Sequence, residues 1–112
     1  MRNEIYSKLS IIIPTFYPGP IISECLRSLP HESDILVVDN GDDEELKQII
    51  NKTKKNIRHL KIGDLGLPKS FNYAVKMAYN ENIFITQPDV TLEKNTLENL
   101  IEASNKYENA GL

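Results

Sequence analysis

Four short polar clusters carry the residue types that could do chemistry in this chain: Pro14-Thr15, Asp39-Asn40-Gly41, Gly63-Asp64 and Gln87-Pro88-Asp89. Each follows directly on an apolar, β-branched run. A carboxylate so placed can accept hydrogen bonds from a base or a ribose, or hold a hard cation through its oxygens. Asp39 stands immediately after Ile35-Leu36-Val37-Val38, and Asn40-Gly41 behind it equally permit an Asx turn in which the carboxylate organises only the backbone. Asp89 has the same duality. It is an oxygen ligand suited to a divalent ion shared with phosphate oxygens, and Pro88-Asp89 also fits the two central positions of a β-turn. One carboxylate seldom holds Mg²⁺ or Mn²⁺ unaided, so such a metal is expected to bind together with a pyrophosphate rather than before it. Between these clusters, Gly66 allows a ligand to approach the backbone, while Lys69 near a helix start either offers charge to a phosphate or is a solvated surface cation.

The elements that must position these clusters follow from periodicity. Strands are expected over 9–13, 35–38, 57–62 and 83–86. A first helix is read from the Ile22, Cys25, Leu26, Leu29 stripe, preceded by the turn of Pro18-Gly19-Pro20 and closed by Pro30. A second has Leu46, Ile49 and Ile50 on one face, with Asp42 to Glu45 at its start and Lys52, Lys54 and Lys55 at its end, as the helix dipole favours. That acidic run lacks the ligand spacing of a calcium loop and reads as a solvated helix start. A third helix is expected from about Pro68 to Ala78 with Phe71, Ala74, Val75 and Ala78 inward. A fourth opens at Asn95, an N-cap with Glu98 three residues on. Alternating strands and helices with right-handed crossovers predict one three-layer α/β domain over 1–112, with a mainly parallel sheet of about four strands and helices on both faces. In such a sheet the polar clusters gather at the carboxyl ends of the strands, where ligands bind.

Composition narrows the classes. At 112 residues the chain can bury a core without staples, and its one cysteine, Cys25, lies on the apolar side of the first helix as a buried small hydrophobe. A cytoplasmic location is the expectation, since there is neither a secretory leader nor a run of the roughly 20 apolar residues a membrane span needs. The net charge of −3, from 13 basic and 16 acidic side chains, argues against a nucleic-acid partner bound by counterion release. His31 and His59 have no metal-pair spacing and read as surface or boundary residues.

Taken in order, these residues resemble the nucleotide-sugar-binding half of family 2 glycosyltransferases, which have the Rossmann-like GT-A fold. The stretch from Leu9 to Phe16 resembles the family's first strand, Cys25-Leu26-Arg27-Ser28-Leu29 its first helix, and Ile35 to Gly41 its second strand with the nucleotide-contacting aspartate. Asp64 to Ala74 is similar to the family's Asn-x-Gly segment and following helix, Gln87-Pro88-Asp89 to its Asp-x-Asp metal motif, and Asn109 to Leu112 to the approach to the next strand. The resemblance implies that Pro14, Thr15, Asp39, Asn40, Asp64, Gly66, Lys69 and Gln87 line a nucleotide site. Thr15 and Asp39 would meet a pyrimidine, Lys69 would lie near ribose or phosphate, and Asp89 would hold Mg²⁺ or Mn²⁺ on the diphosphate. The implied reaction is inverting transfer of a hexosyl or deoxyhexosyl group from a UDP- or dTDP-sugar to a saccharide or lipid-linked acceptor hydroxyl. The family's catalytic base belongs to the other half of the domain, and no residue here is assigned to it.

The chain departs from the family pattern in three segments. Gln87 replaces the first carboxylate of the metal motif, Tyr17-Pro18 stand where an Asn usually follows the aromatic residue, and Asp64 replaces the Asn of Asn-x-Gly. Asp64 adds negative charge near a diphosphate, which is unfavourable without metal. Two other classes share some of these features. A non-catalytic nucleotide-sugar-binding or assembly module would bind donor without transfer. A receiver-like signalling domain would share the Ile35 to Asp39 strand, but its acidic clusters would fall on other strands. Self-association over an exposed sheet edge is a further expectation from geometry.

Overall fold

The structure, a computed structural model, describes residues 6–53, 56–63, 67–93, 96, 98–99 and 102. The elements run β1 (Leu9–Thr15), a 3₁₀ turn (Gly19–Ile21), α1 (Ile22–Ser28), β2 (Asp34–Asp39), α2 (Glu44–Lys52), β3 (Ile57–Lys61), α3 (Leu67–Met77) and β4 (Asn82–Ile85). The expected fourth helix has its start at Asn95 outside the described residues, as are Leu97, Leu100 and Ile101; Thr96, Glu98, Asn99 and Glu102 are helical.

All strand pairs are parallel, and the sheet order is β3-β2-β1-β4. The chain therefore steps outward from β1 to β3, then crosses back to the far side of β1. That reversal is the topological switch point, where two successive crossovers leave the sheet in opposite directions and open a crevice at the strand ends.

Alternation along the strands sorts the core into two layers. Ile11, Ile13, Ile35 and Val37 pack with Ile22, Cys25 and Leu26 of α1 and with Leu46 and Ile50 of α2. On the opposite face, Ile12, Leu36 and Val38 pack against Ala74 of α3. Both faces of β1 and β2 are thus covered, which is why their sequences read as continuous apolar runs rather than as alternating ones. β1 and β2 extend through their polar ends because Thr15 pairs with Asp39, and the Asn40 N–H donates to the Thr15 carbonyl at 3.0 Å.

α3 differs from its expected packing. Ser70 and Ala74, four residues apart, are fully buried, whereas Phe71 and Val75 are 37% and 36% exposed. A helix lying close on a sheet presents its smallest residues along one i, i+4 ridge, and Phe71 and Val75 fall one position round from that ridge.

Candidate functional site

β2 ends on an aspartate that the fold encloses completely. The Asp39 side chain is 0% exposed. Its Oδ1 accepts from the Gly41 N–H at 2.9 Å, closing an Asx turn, and its Oδ2 accepts from the Asp43 N–H at 3.4 Å. A third contact comes from β3, where His59 Nε2 lies 2.9 Å from Oδ2. Asp43 in turn caps α2, its Oδ1 accepting from the Leu46 N–H at 3.1 Å. The loop over residues 39–43 is therefore held from within by one buried carboxylate and handed directly to a helix start. The Asp42 to Glu45 run serves that helix start, as expected.

The β1 tip is locked to the same loop. Thr15 Oγ1 donates to the Val38 carbonyl at 3.0 Å, and Asn40 Nδ2 donates to the Thr15 carbonyl at 3.1 Å. With its Nδ2 fixed in this way, Asn40 has its Oδ1 buried and, among the described residues, without a hydrogen-bond partner. A buried acceptor of this kind is rare and carries a desolvation cost until a donor meets it. Pro14 beside it is half-buried.

Tyr17 straps the outside of the loop. Its backbone adopts φ 48°, an uncommon left-handed conformation for a residue with a side chain, and its Oη accepts from the Asp42 N–H at 3.0 Å. The ring lies so close to Gly41 that a Cβ there would stand 2.5 Å from Tyr17 Cε2. A side chain at 41 would therefore have to push the Tyr17 ring aside. Phe16, 68% exposed, meets the Tyr17 ring edge-on with centroids 4.9 Å apart.

At the β4 tip the arrangement is looser. The Thr86 N–H donates to the Ile12 carbonyl at 3.1 Å, carrying the pairing one residue past the strand and bringing the following turn beside the end of β1. The Val90 N–H donates to the Gln87 carbonyl at 3.1 Å, so Gln87-Pro88-Asp89-Val90 is a β-turn with Pro88 and Asp89 at its centre. The Gln87 and Asp89 side chains are exposed. α1 holds this segment at two points: Cys25 Sγ donates to the Gln87 carbonyl at 3.4 Å, and Ser28 Oγ accepts from the Leu92 N–H at 3.0 Å. Burial, with the nearby Asp89 charge adding to it, pushes the Cys25 thiol up from 9.0 to about 11. Cys25 is therefore a protonated donor at neutral pH, and buried as its sequence position predicted.

Of the residues picked out in the sequence, the fold brings Pro14, Thr15, Asp39, Asn40, Gln87 and Asp89 to one edge of the sheet. Lys69 lies in the first turn of α3 with its side chain exposed. Asp64 and Gly66 lie outside the described residues. Sequence reasoning missed His59 and Tyr17 as parts of this edge, and Ser28 as an anchor for the segment that follows β4. Among the described residues no group of three or more His, Cys, Asp or Glu is arranged to hold a metal ion, so a cation here would need oxygens from a ligand in addition to Asp89. No helix among the described residues is long and apolar enough to cross a membrane.

This fold recurs in known proteins. The model of the glycosyl transferase family 2 matches residues 10–112. The chain belongs to that family. Within it, the chain is 30% identical over 102 residues to the poly(ribitol-phosphate) beta-N-acetylglucosaminyltransferase TarS of Staphylococcus aureus, a match covering 81% of the chain and 18% of TarS. It is also 30% identical over 95 residues to a poly(ribitol-phosphate) beta-glucosyltransferase of Bacillus spizizenii, covering 73% of the chain and 15% of that relative. The chain thus spans less than a fifth of the length of these curated relatives. The crystal structure of S. aureus TarS superposes with a TM-score of 0.75 at 28% identity, over 90% of the chain and 20% of TarS. That of TarS residues 1–349 in complex with UDP-GlcNAc gives 0.74 at 28% identity, over 90% of the chain and 32% of the other. The α/β architecture expected from the sequence is accordingly that of family 2 glycosyltransferases, a family that generally uses a divalent metal.

Proposed function

We propose that this chain is the donor-binding unit of an inverting glycosyltransferase that takes its sugar from a pyrimidine nucleotide diphosphate. The observation that carries this reading is the gathering of Thr15, Asp39-Asn40 and Gln87-Asp89 at the switch point of a parallel sheet in a family 2 chain. The likeness to a TarS structure in complex with UDP-GlcNAc supports the choice of donor class. The loop of Asp39 to Asp43, with Pro14, Thr15 and the unpartnered Asn40 Oδ1, is the base end of the site. Gln87 and Asp89 lie at the diphosphate end; by family correspondence Lys69 is assigned to ribose or phosphate, and Asp64 and Gly66, outside the described residues, to the nucleotide site.

Asp89 fits a divalent cation, Mg²⁺ or Mn²⁺, in one respect: it is an exposed carboxylate on a turn whose backbone is already fixed by Val90 and Cys25. The ion would supply positive charge against the negative charge that builds on the departing nucleotide diphosphate. The residues of this chain bind and orient the donor, and deprotonation of the acceptor hydroxyl is left to a base that none of the described residues supplies. A saccharide or lipid-linked acceptor and a cytoplasmic setting complete the reading, the latter in keeping with one buried, unpaired cysteine.

Calorimetric titration with UDP, dTDP, GDP and ADP in the presence of Mn²⁺ tests the proposal. UDP or dTDP should bind more tightly than either purine nucleotide. Equal binding of all four, or binding of none, would remove the base end of the argument.

A further inference from the structure

The three contacts that hold Asp39 have different origins. The Gly41 and Asp43 N–H groups are local, and any aspartate closing this turn would receive them. The third, from His59, arrives across the sheet from a strand that begins 18 residues further along the chain. It depends on the register that sets Val37 beside His59 and on the Ile62 N–H donating to the Asp39 carbonyl at 3.1 Å. The imidazole is almost enclosed, its side chain 13% exposed. The Asp39 carboxylate it meets is buried, as is Asp43, whose N–H shares Oδ2 with the ring, while Asp42 is exposed. Among the described residues His59 is the one side chain paired with Asp39.

Without His59, Oδ2 is held only by the long 3.4 Å contact from the Asp43 N–H, which leaves the carboxylate able to rock about its Cβ–Cγ bond. A ring nitrogen on Oδ2 from a second strand stops that rotation and fixes the plane of the group. Because Oδ1 sets Gly41 and Oδ2 sets Asp43, fixing the plane fixes both ends of the loop that faces the β1 tip. Resting on the donor-site reading above, we propose that His59 is a positioning residue for the pyrimidine end of the nucleotide, acting through Asp39 and the backbone of residues 40–43 rather than by touching the ligand.

The test is titration with UDP of the unaltered chain, His59→Phe and His59→Gln, each with and without Mn²⁺. Glutamine keeps an N–H donor that can reach the carboxylate; phenylalanine fills the space without one. A hydrogen bond to a charged group of this strength corresponds to a loss of about tenfold in UDP affinity for His59→Phe, with most of it restored in His59→Gln. The factor by which Mn²⁺ strengthens binding should be the same in all three proteins, since the Asp89 turn is untouched. Undiminished UDP affinity in a folded His59→Phe protein overturns the inference while leaving the donor site standing. Failure of the unaltered chain to bind UDP overturns the donor-site reading itself and is seen before any variant is made. If His59→Phe does not fold, the ¹⁵N signals of the His59 ring in the unaltered chain decide: they should move on addition of UDP, and signals that stay still refute the role.

Discussion

The two polar ends of the sheet are built in opposite ways. At the β2 tip a fully buried carboxylate collects three contacts, a helix cap follows within four residues, and a tyrosine ring closes the outside. At the β4 tip the carboxylate is exposed, and the protein fixes only the backbone beneath it, through Cys25 and Ser28 of α1. The first is a finished surface, ordered before any ligand arrives. The second fixes where a charged group stands but leaves that group's own partners to be supplied. Preorganisation suits the recognition of a flat, weakly charged base, where fixed donors and acceptors give selectivity. An exposed carboxylate suits a cation that arrives with a diphosphate and takes most of its oxygens from it. On the donor-site reading, recognition and charge compensation would be divided between a rigid part and an adaptable one.

Breaking the rigid side should have the largest effect. Asp39→Ala leaves the Gly41 and Asp43 N–H groups and the His59 ring without their acceptor in a buried setting. The expected loss is about 3 kcal/mol, read by urea denaturation. A loss under about 0.5 kcal/mol would mean that the loop does not depend on the carboxylate.

Gly41→Ala probes the strap. Its new methyl group must displace the Tyr17 ring, the far end of a movable and half-exposed side chain, so the expected cost is about 1 kcal/mol. Combining it with Tyr17→Ala should abolish most of that cost in a double-mutant cycle. Simple additivity of the two changes would place the strain elsewhere.

The looser side responds more weakly. Ser28→Ala removes the acceptor for the Leu92 N–H and should lower stability by about 1 kcal/mol, with a small drop in metal-assisted UDP binding. Cys25 gives a pH signature of its own. Its thiol is held at about 11 in the folded chain against 9.0 for an unperturbed group, so the folded form keeps a proton that the unfolded form releases. Stability should be unaffected below about pH 9 and should fall as pH rises from there toward about 11, a slope that Cys25→Ala removes. Below that range, at about pH 8, a thiol reagent should label the chain only after it is unfolded.

Much of this contrast was legible in the residues themselves, and the remainder shows what a sequence withholds. Ile11-Ile12-Ile13 and Ile35-Leu36-Val37-Val38 are β-branched runs with polar ends, and that pattern places both strands and their tips. The Asx turn at Asp39 and the β-turn at Gln87 were both written in local spacing, Asp39-x-Gly41 and Pro88-Asp89. The partners that distinguish the two tips were not, because they lie far off along the chain: His59 reaches Asp39 across 20 residues, Cys25 reaches Gln87 across 62, and Ser28 reaches Leu92 across 64. Only strand register and helix placement bring them together. The face of α3 was misread for a related reason. Of Phe71, Ala74, Val75 and Ala78, which hydropathy turned inward, Ala74 is fully buried, but the close approach of helix to sheet put small Ser70 beside it and left Phe71 and Val75 partly exposed.

The measurement that tests the division most directly is the UDP affinity of the unaltered chain and of Asp89→Ala, each with and without Mn²⁺. Because Asp89 is exposed and no hydrogen bond holds its carboxylate among the described residues, the substitution should change stability by less than about 0.5 kcal/mol. The account predicts that Mn²⁺ strengthens UDP binding to the unaltered chain, that Asp89→Ala loses this gain, and that metal-free binding is the same for both. An equal Mn²⁺ gain in Asp89→Ala would contradict it, and would move the metal away from the β4 tip.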